Sequence, residues 1–484
     1  MSTTDFASVS PVSGIEIGRF PNTSPDEVNH RVEEAHQSSA GWIALGYAGR
    51  KKVLKSWSVL LTQRIDEIGK LIADETGKPL SDAVLEAGLA VEQLSWAANK
   101  AGTILADQKR PSGLLMFNMA SKVQRVPYGV VGVIGPWNYP MFTPMGSIAY
   151  SLAAGNTVVF KPSEYTPAVG EWLGKSFAEI APFSGIFTVV TGLPDTGRAL
   201  TESAVNKISF TGSTRTAKKV AASAAARMIP VVLECGGKDP VIVAGDADVK
   251  LAAEYALWSA MANAGQSCIG AERVYVMESV ADEFIASITK MAKKVHEGKN
   301  YGPATMPSQL NVIQGHINDA AQKGATFAVG GTDSVHDGMV APTIMLEVPE
   351  NSTAMLEETF GPTLAINKVS SIAEAIKLSN ASTYGLAAAV FSKRQGNAIA
   401  SQLNCGMVSI NSVFSFAAVA SVPFGGVKDS GYGRIHGNEG LLEFTYPRTV
   451  VAARFAIPLA FTTFKRTAVA EKIIKRLIKT LYGR

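Results

Sequence analysis

The sequence predicts a layered α/β fold, with helices packed on a parallel sheet and a second α/β block following the first. Three observations predict it. Between residues 130 and 211, short β-branched apolar runs alternate with helix-sized segments, the pattern of βαβ units. The first ~100 residues instead repeat apolar positions at helical spacing. The chain has 484 residues, 46% hydrophobic and 18% charged. That is enough for two or three packed domains, and it excludes a disordered, collagenous or fibrous chain.

After an irregular start, Ser24-Pro25-Asp26-Glu27 opens a helix with a capping serine, a first-turn proline and early acids. Helical spacing continues through Leu54, Trp57, Leu60, Leu61, Ile65, Ile68 and Ile72. It breaks at Thr76-Gly77-Lys78-Pro79 and resumes from Asp82 toward Leu105. The texture changes near Gln124. Val130–Ile134, Thr157–Phe160, Ile186–Val190 and Lys207–Phe210 are four buried strands of a parallel sheet. Ligands of nucleotide type bind such sheets at the carboxyl ends of the strands. The second block runs from Val231 to about Gly431, with strands at Arg273–Val276, Ala388–Phe391 and Gly406–Ile410.

Three cysteines (Cys235, Cys268, Cys405) make no disulfide framework, and a reducing, cytoplasmic setting is expected. No run approaches the ~18 apolar residues of a membrane span, and the first residues show no secretory signal. The net charge of +4 is unevenly placed. From Lys465 onward seven bases face one acid, Glu471, a local charge of +6 that leaves −2 on the body. The body is therefore no polyanion or nucleic-acid binder.

Four places carry chemistry. Gly212-Ser213-Thr214 follows a strand and opens a helix, where free N–H groups suit a pyrophosphate; an ordinary strand-to-helix turn is equally consistent, and no G-x-G-x-x-G fingerprint is present. Cys268 lies in the polar, glycine-bracketed loop Asn263–Gly270, unlike a structural thiol. No histidine sits in an obvious partner setting, so a carboxylate is the better base. Glu234 closes the apolar run Ile229–Leu233, where burial raises a carboxyl toward a general base's range; pairing with Lys238 is the alternative. Asn138 lies just past a strand end, where its amide can donate to an oxyanion or serve only as a turn residue.

Taken together these residues resemble the aldehyde dehydrogenase family along almost the whole chain. Eight segments occur in family order: Glu75–Pro79, Pro136–Pro140, Lys161–Glu164, Phe210–Thr214, Leu233–Lys238, Asn263–Cys268, Glu357–Pro362 and Pro423–Gly431. The resemblance implies a Rossmann-like cofactor domain (1–110 and 130–233), a catalytic domain (234–431), bridging strands (111–129 and 445–458) and a basic tail (459–484). It implies Cys268 as nucleophile, Glu234 as base and Asn138 as oxyanion donor, without a metal. Cofactor contacts are implied for Pro136, Trp137, Lys161, Ser163, Glu164, Gly212, Ser213, Glu358 and Phe360. NAD is favoured because the Glu164 carboxylate repels a 2′-phosphate, while Arg215 would help to admit NADP. A homodimer or homotetramer is also implied.

For the substrate pocket the resemblance implies Tyr139, Met141, Phe142, Gly146, Ser267, Ile269 and Phe424, with Phe414 and Phe416 adding apolar surface. Gly146 stands where relatives often carry a bulky aromatic, so a wide pocket is expected. The ending Gly433–Phe444 is similar to that of succinate-semialdehyde dehydrogenases, yet no arginine is obviously placed for a substrate carboxylate. A hydrophobic aldehyde therefore competes with succinate semialdehyde. A CoA-acylating or non-enzymatic relative is disfavoured by the retained Glu234 and Cys268. In the tail, Val469, Ile473, Leu477 and Leu481 recur every four residues with bases opposite, suiting peripheral membrane contact or docking on an oligomer.

Overall fold

The computed structural model describes residues 5–457 and 463–483. The expected bridging and tail segments therefore fall partly outside the described residues, at 458–462 and 484. The chain divides into two compact units, Met1–Ile104 with Pro127–Thr445, and Leu105–Val126 with Tyr446–Arg484.

In the first unit the start is not irregular. Asp5–Val9 pairs antiparallel with Glu16–Pro21, and the Phe6 and Phe20 rings lie 6.2 Å apart; two strands this short leave little periodicity to read. The helix Pro25–Ala44 begins as the residues dictate, with the Glu27 N–H donating to Ser24 Oγ at 3.3 Å. Helices Gly46–Gln63, Ile65–Thr76 and Leu80–Ile104 follow. The break at Gly77 is a left-handed cap with φ 76°. A Cβ there would also meet Pro303 and Pro11 at 3.0 and 3.1 Å.

A six-stranded sheet runs in the order Gly431–Tyr432, Val231–Glu234, Lys207–Thr211, Val130–Ile134, Thr157–Lys161, Phe187–Val189. Its strands are parallel except Gly431–Tyr432. The chain leaves Val130–Ile134 toward one edge and returns to lay Lys207–Thr211 on the other side. The order therefore reverses between these two strands, which creates a crevice at their carboxyl ends. Helices cover both faces, burying Val130, Val159, Leu200, Ile208 and Phe210 in one core.

A seven-stranded sheet runs Thr326–Val329, Thr343–Leu346, Thr363–Val369, Ala271–Met277, Asp239–Val243, Ala387–Phe391, Met407–Ile410. Only Thr326–Val329 runs antiparallel to its neighbour. Asp239–Val243 is central although it contains Pro240, a residue that argues against a central strand. The register shifts between Asp239 and Pro240, which accommodates the missing N–H.

The second unit holds a three-stranded sheet, Thr445–Ala453, Met119–Pro127 and Gln108–Arg110, tied by the Arg454 N–H to Asn118 O at 2.8 Å. It also holds the helix Ala468–Tyr482, capped by Thr467.

Candidate active site

Cys268 sits between a tight turn, Ala262–Gly265, and the strand Ala271–Met277. The turn is strained: Asn263 and Ala264 hold φ of 52° and 57°, a conformation that L residues adopt at a cost of ~1 kcal/mol or more each. Gly265 follows with φ 70°, and a Cβ there would lie 2.0 Å from Gly361 O, so the thiol loop presses on the Gly361–Pro362 peptide. Buried amides hold the strained turn. Asn263 Nδ2 donates to Asn138 O at 3.0 Å and Gln266 O at 3.2 Å, Gln266 Nε2 donates to Asn263 O at 2.9 Å, and Gln266 Oε1 accepts from Thr305 N at 2.9 Å. Asn138 Nδ2 donates to Gln266 O at 3.0 Å, which commits one of its two N–H groups.

Cys268, Glu234, Tyr139, Phe142, Ser267, Ile269 and Phe424 line one cavity of about 380 Å³, within the size range of small-molecule sites. Cys268 remains partly accessible. Burial pushes its thiol well above the ordinary value, and the nearby carboxyls of Glu358, Asp239 and Glu234 push the same way. Glu234 is 2% exposed, and neither of its carboxyl oxygens has a hydrogen-bond partner among the described residues. Burial raises its pKa well above a carboxyl's usual value, against the opposing pull of Arg434.

Two residues expected in the pocket are placed elsewhere. Met141 is wholly buried and does not face the cavity; its N–H donates to Glu86 Oε1 at 2.9 Å. The room expected from Gly146 is filled. A Cβ at Gly146 would lie 2.5 Å from His436 Nε2, so the imidazole occupies the space that a larger side chain would take. Phe414 lines the cavity, whereas Phe416 lies outside it. Sequence reasoning missed Leu85, Leu89, Tyr255, Trp258, Ile435 and His436, all on the cavity wall. Leu85 and Trp258 are 55% and 48% exposed, so they mark its mouth. A half-exposed tryptophan on an otherwise packed helix shows only once the helix Val249–Met261 is placed. Neither ring nitrogen of His436 has a hydrogen-bond partner among the described residues, and burial lowers its pKa to about 3.

The carboxyl ends of the six-stranded sheet reach the same cavity, with Thr211, Glu234 and Cys235 on its wall. Pro136 and Trp137 follow one strand of the reversal point and Gly212 and Ser213 the other. Trp137 packs edge-on against Phe360 with centroids 5.5 Å apart. Lys161, 4% exposed, reaches Glu164 Oε2 at 3.3 Å, and Ser163 Oγ accepts from Tyr165 N at 3.3 Å. Glu358 Oε1 accepts from Gly237 N at 3.1 Å, and burial raises its pKa to about 8. A Cβ at Gly236 would fall 2.1 Å from the Glu358 carboxylate. Gly212 departs from expectation. Its N–H donates to Glu234 O at 3.0 Å, so strand pairing uses the group expected to meet a phosphate. A Cβ there would strike the Phe210 ring at 2.7 Å, which accounts for glycine without a ligand.

Fold and site define an α/β oxidoreductase built around a cavity-facing thiol and a buried carboxyl. The chain belongs to the aldehyde dehydrogenase family, whose model matches residues 1–450, and acts on aldehydes with NAD or NADP as acceptor. It is 35% identical over 489 residues to 4,4′-diapolycopene aldehyde oxidase of Methylomonas sp, covering 99% of this chain and 92% of that protein. It is 34% identical over 457 residues to succinate-semialdehyde dehydrogenase [NADP(+)] of Deinococcus radiodurans, covering 92% and 94%. Among solved structures, NADP-dependent glyceraldehyde-3-phosphate dehydrogenase from Bacillus halodurans, complexed with NADP, matches with a TM-score of 0.88 at 34% identity, covering 93% of this chain and 96% of that one.

Proposed function

We propose that the chain oxidises uncharged, apolar aldehydes to carboxylic acids through a thioester on Cys268, with NAD as the preferred acceptor. The charge of the cavity wall carries the substrate assignment. Among the described residues Lys78 is the only lysine or arginine on that wall, against Asp82, Glu86 and Glu234. Its ammonium is already taken, lying 2.6 Å from Glu86 Oε2 and 2.8 Å from Asn138 O. His436 stays uncharged near neutrality. A substrate carboxylate such as that of succinate semialdehyde would be buried beside acids with no counter-charge, at a cost of several kcal/mol. Relatives are named for both lipophilic and anionic aldehydes, so family membership does not choose between them; the wall of Leu85, Leu89, Trp258 and Phe414 favours the lipophilic class.

The residues around the crevice fit a dinucleotide. Lys161 and Glu164 suit its adenosine ribose, and Ser163 stands between them. Ser213 with the helix start suits its pyrophosphate, joined by Gly212 only as neighbouring backbone. Pro136 and Trp137 wall the crevice; Phe360 and Glu358, packed on the Gly236 cradle, suit the nicotinamide riboside. The bound dinucleotide supplies the hydride acceptor. The chain supplies the rest. Cys268 gives its proton to solvent, and the resulting thiolate attacks the aldehyde carbon, moving the carbonyl pair onto oxygen. The uncommitted N–H of Asn138 and the Cys268 backbone N–H hold that oxyanion. After hydride loss the acyl group remains on sulfur. Glu234 takes a proton from water, which adds to the thioester; the C–S bond then breaks and the thiolate returns. The exposed run Leu114–Phe117 and the sheet of the smaller unit fit a homo-oligomer contact.

The test is a panel of aldehydes measured with NAD and NADP in parallel, on the native chain and on Cys268→Ala. We expect kcat/KM for long-chain or aromatic aldehydes to exceed that for succinate semialdehyde at least about tenfold, one unpaired buried charge being worth more than that ratio. The Cys268→Ala variant should be inactive with every aldehyde. A preference for the charged semialdehyde overturns the substrate class, and substantial turnover by the variant overturns the nucleophile.

A further inference from the structure

The helix Ala468–Tyr482 lies beyond the 1–450 span that matches the family, and nothing in the reaction uses it. On a helical projection Val469, Ala470, Ile473, Ile474, Leu477, Ile478 and Leu481 fill one half, and Lys472, Lys475, Arg476 and Lys479 cluster on the other. The apolar half is only partly covered. Ala470 is buried and Ile474 and Leu481 are partly so, while Val469, Ile473, Leu477 and Ile478 are 65%, 38%, 40% and 43% exposed. Phe464, just before the helix, is fully exposed. No ion pair among the described residues engages Lys465, Arg466 or the four helix bases. An exposed apolar strip thus runs alongside a row of unneutralised bases.

We propose that this helix is a docking surface for anionic lipid bilayers, lying in the headgroup plane with the Val469–Ile473–Leu477 strip toward the acyl chains. Charge complementarity selects that occupant. A second copy packed strip to strip would cover the apolar residues but leave the bases of both helices on the outside with no counter-charge, so it answers only half of the surface. A nucleic acid would meet the bases and leave the strip in water. An anionic interface satisfies both at once, with each base near the surface adding about fivefold to partitioning and the strip adding apolar burial. The local charge of +6 is set against −2 on the rest of the chain, which favours an approach with this end foremost. The inference stands apart from the substrate class proposed above, because no feature of the cavity enters it.

Sedimentation of the full chain with vesicles tests it, using phosphatidylcholine alone and phosphatidylcholine with phosphatidylglycerol. We expect binding to the anionic vesicles only, reduced at least about tenfold by molar salt. Reversing Lys472, Lys475, Arg476 and Lys479 together to Glu should reduce binding at least about 100-fold. Val469→Ser, Ile473→Ser and Leu477→Ser combined should reduce it several-fold at low salt, which a purely electrostatic contact would not show. Turnover of a short water-soluble aldehyde, unchanged in both variants, establishes that they are folded. Equal binding to neutral vesicles or none to anionic ones overturns the proposal. So does finding that the substitutions alter self-association, or capture of an acidic protein, while leaving lipid binding unchanged.

Discussion

Glu234 and Glu86 are both 2% exposed and both line the same cavity, yet their surroundings differ completely. Glu86 is satisfied on every side: Oε2 takes the Lys78 ammonium at 2.6 Å, and Oε1 takes the N–H groups of Met141 and Phe142 at 2.9 and 3.2 Å. Glu234 has no donor on either oxygen among the described residues. The nearby Arg434 is turned away, its Nη1 donating to the carbonyls of Gly426 and Gly433 at 2.8 and 2.6 Å. A buried carboxyl normally finds partners. Glu86 holds the Asn138 segment in place, whereas Glu234 is kept in a state in which its proton balance answers to whatever enters the cavity.

The largest consequence is kinetic. Glu234→Gln should lower steady-state kcat by about 10²-fold or more, the usual worth of a general base, while a first-turnover burst of reduced dinucleotide persists. Loss of the burst would move Glu234 to the acylation step. Only the carboxylate accepts a proton, and burial raises the pKa of Glu234. The native hydrolysis rate should therefore climb with pH to well above the ordinary carboxyl range, and the Gln variant should lack that limb.

The same substitution at the two sites should change stability in opposite directions. Glu86→Gln leaves the Lys78 ammonium, 1% exposed, without its counter-charge, and should cost about 3 kcal/mol in denaturant titrations. Glu234→Gln replaces an unpartnered ionisable group by a neutral one. Between the ordinary carboxyl pKa and the raised folded value, the folded chain holds a proton that the unfolded chain has lost, so native stability falls as pH rises through that window. The Gln variant should lose this slope and be as stable as the native chain, or more so, at neutral pH. A comparable destabilisation at both sites would erase the distinction.

What the sequence disclosed follows the same division. The strands Val130–Ile134 and Lys207–Thr211 were legible because burial on both faces makes them continuous apolar runs. Asp239–Val243 was not, because a proline in a central strand contradicts local rules and only the register shift reconciles it. The motif segments carrying Cys268, Glu234 and Asn138 were legible as residue types in order. The cavity wall was legible in or beside the family segments, at Tyr139, Phe142, Ser267, Ile269 and Phe424, and at Phe414 outside them. Leu85 and Leu89, one turn apart, look in sequence like any core-facing stripe. His436 gave no signal because its neighbour across the packing, Gly146, lies 290 residues earlier.

That pair gives the smallest effect. His436, like Glu234, is buried on the cavity wall with polar atoms that find no partner among the described residues, but it is packed among rings, with Phe424 and Phe142 at 5.5 and 5.6 Å between centroids. A methyl at Gly146 would meet its Nε2 at 2.5 Å and Ile435 Cδ1 at 3.0 Å. Gly146→Ala should therefore cost about 1–3 kcal/mol through overpacking and push the imidazole into the cavity, raising KM for bulky aldehydes more than for short ones. In a His436→Ala background the same substitution should cost less than half as much, since the obstructing ring is gone; coupling between contacting residues is typically 0.5–3 kcal/mol. Additive costs in the double variant would mean that the methyl is absorbed elsewhere and that His436 does not set the depth of the pocket.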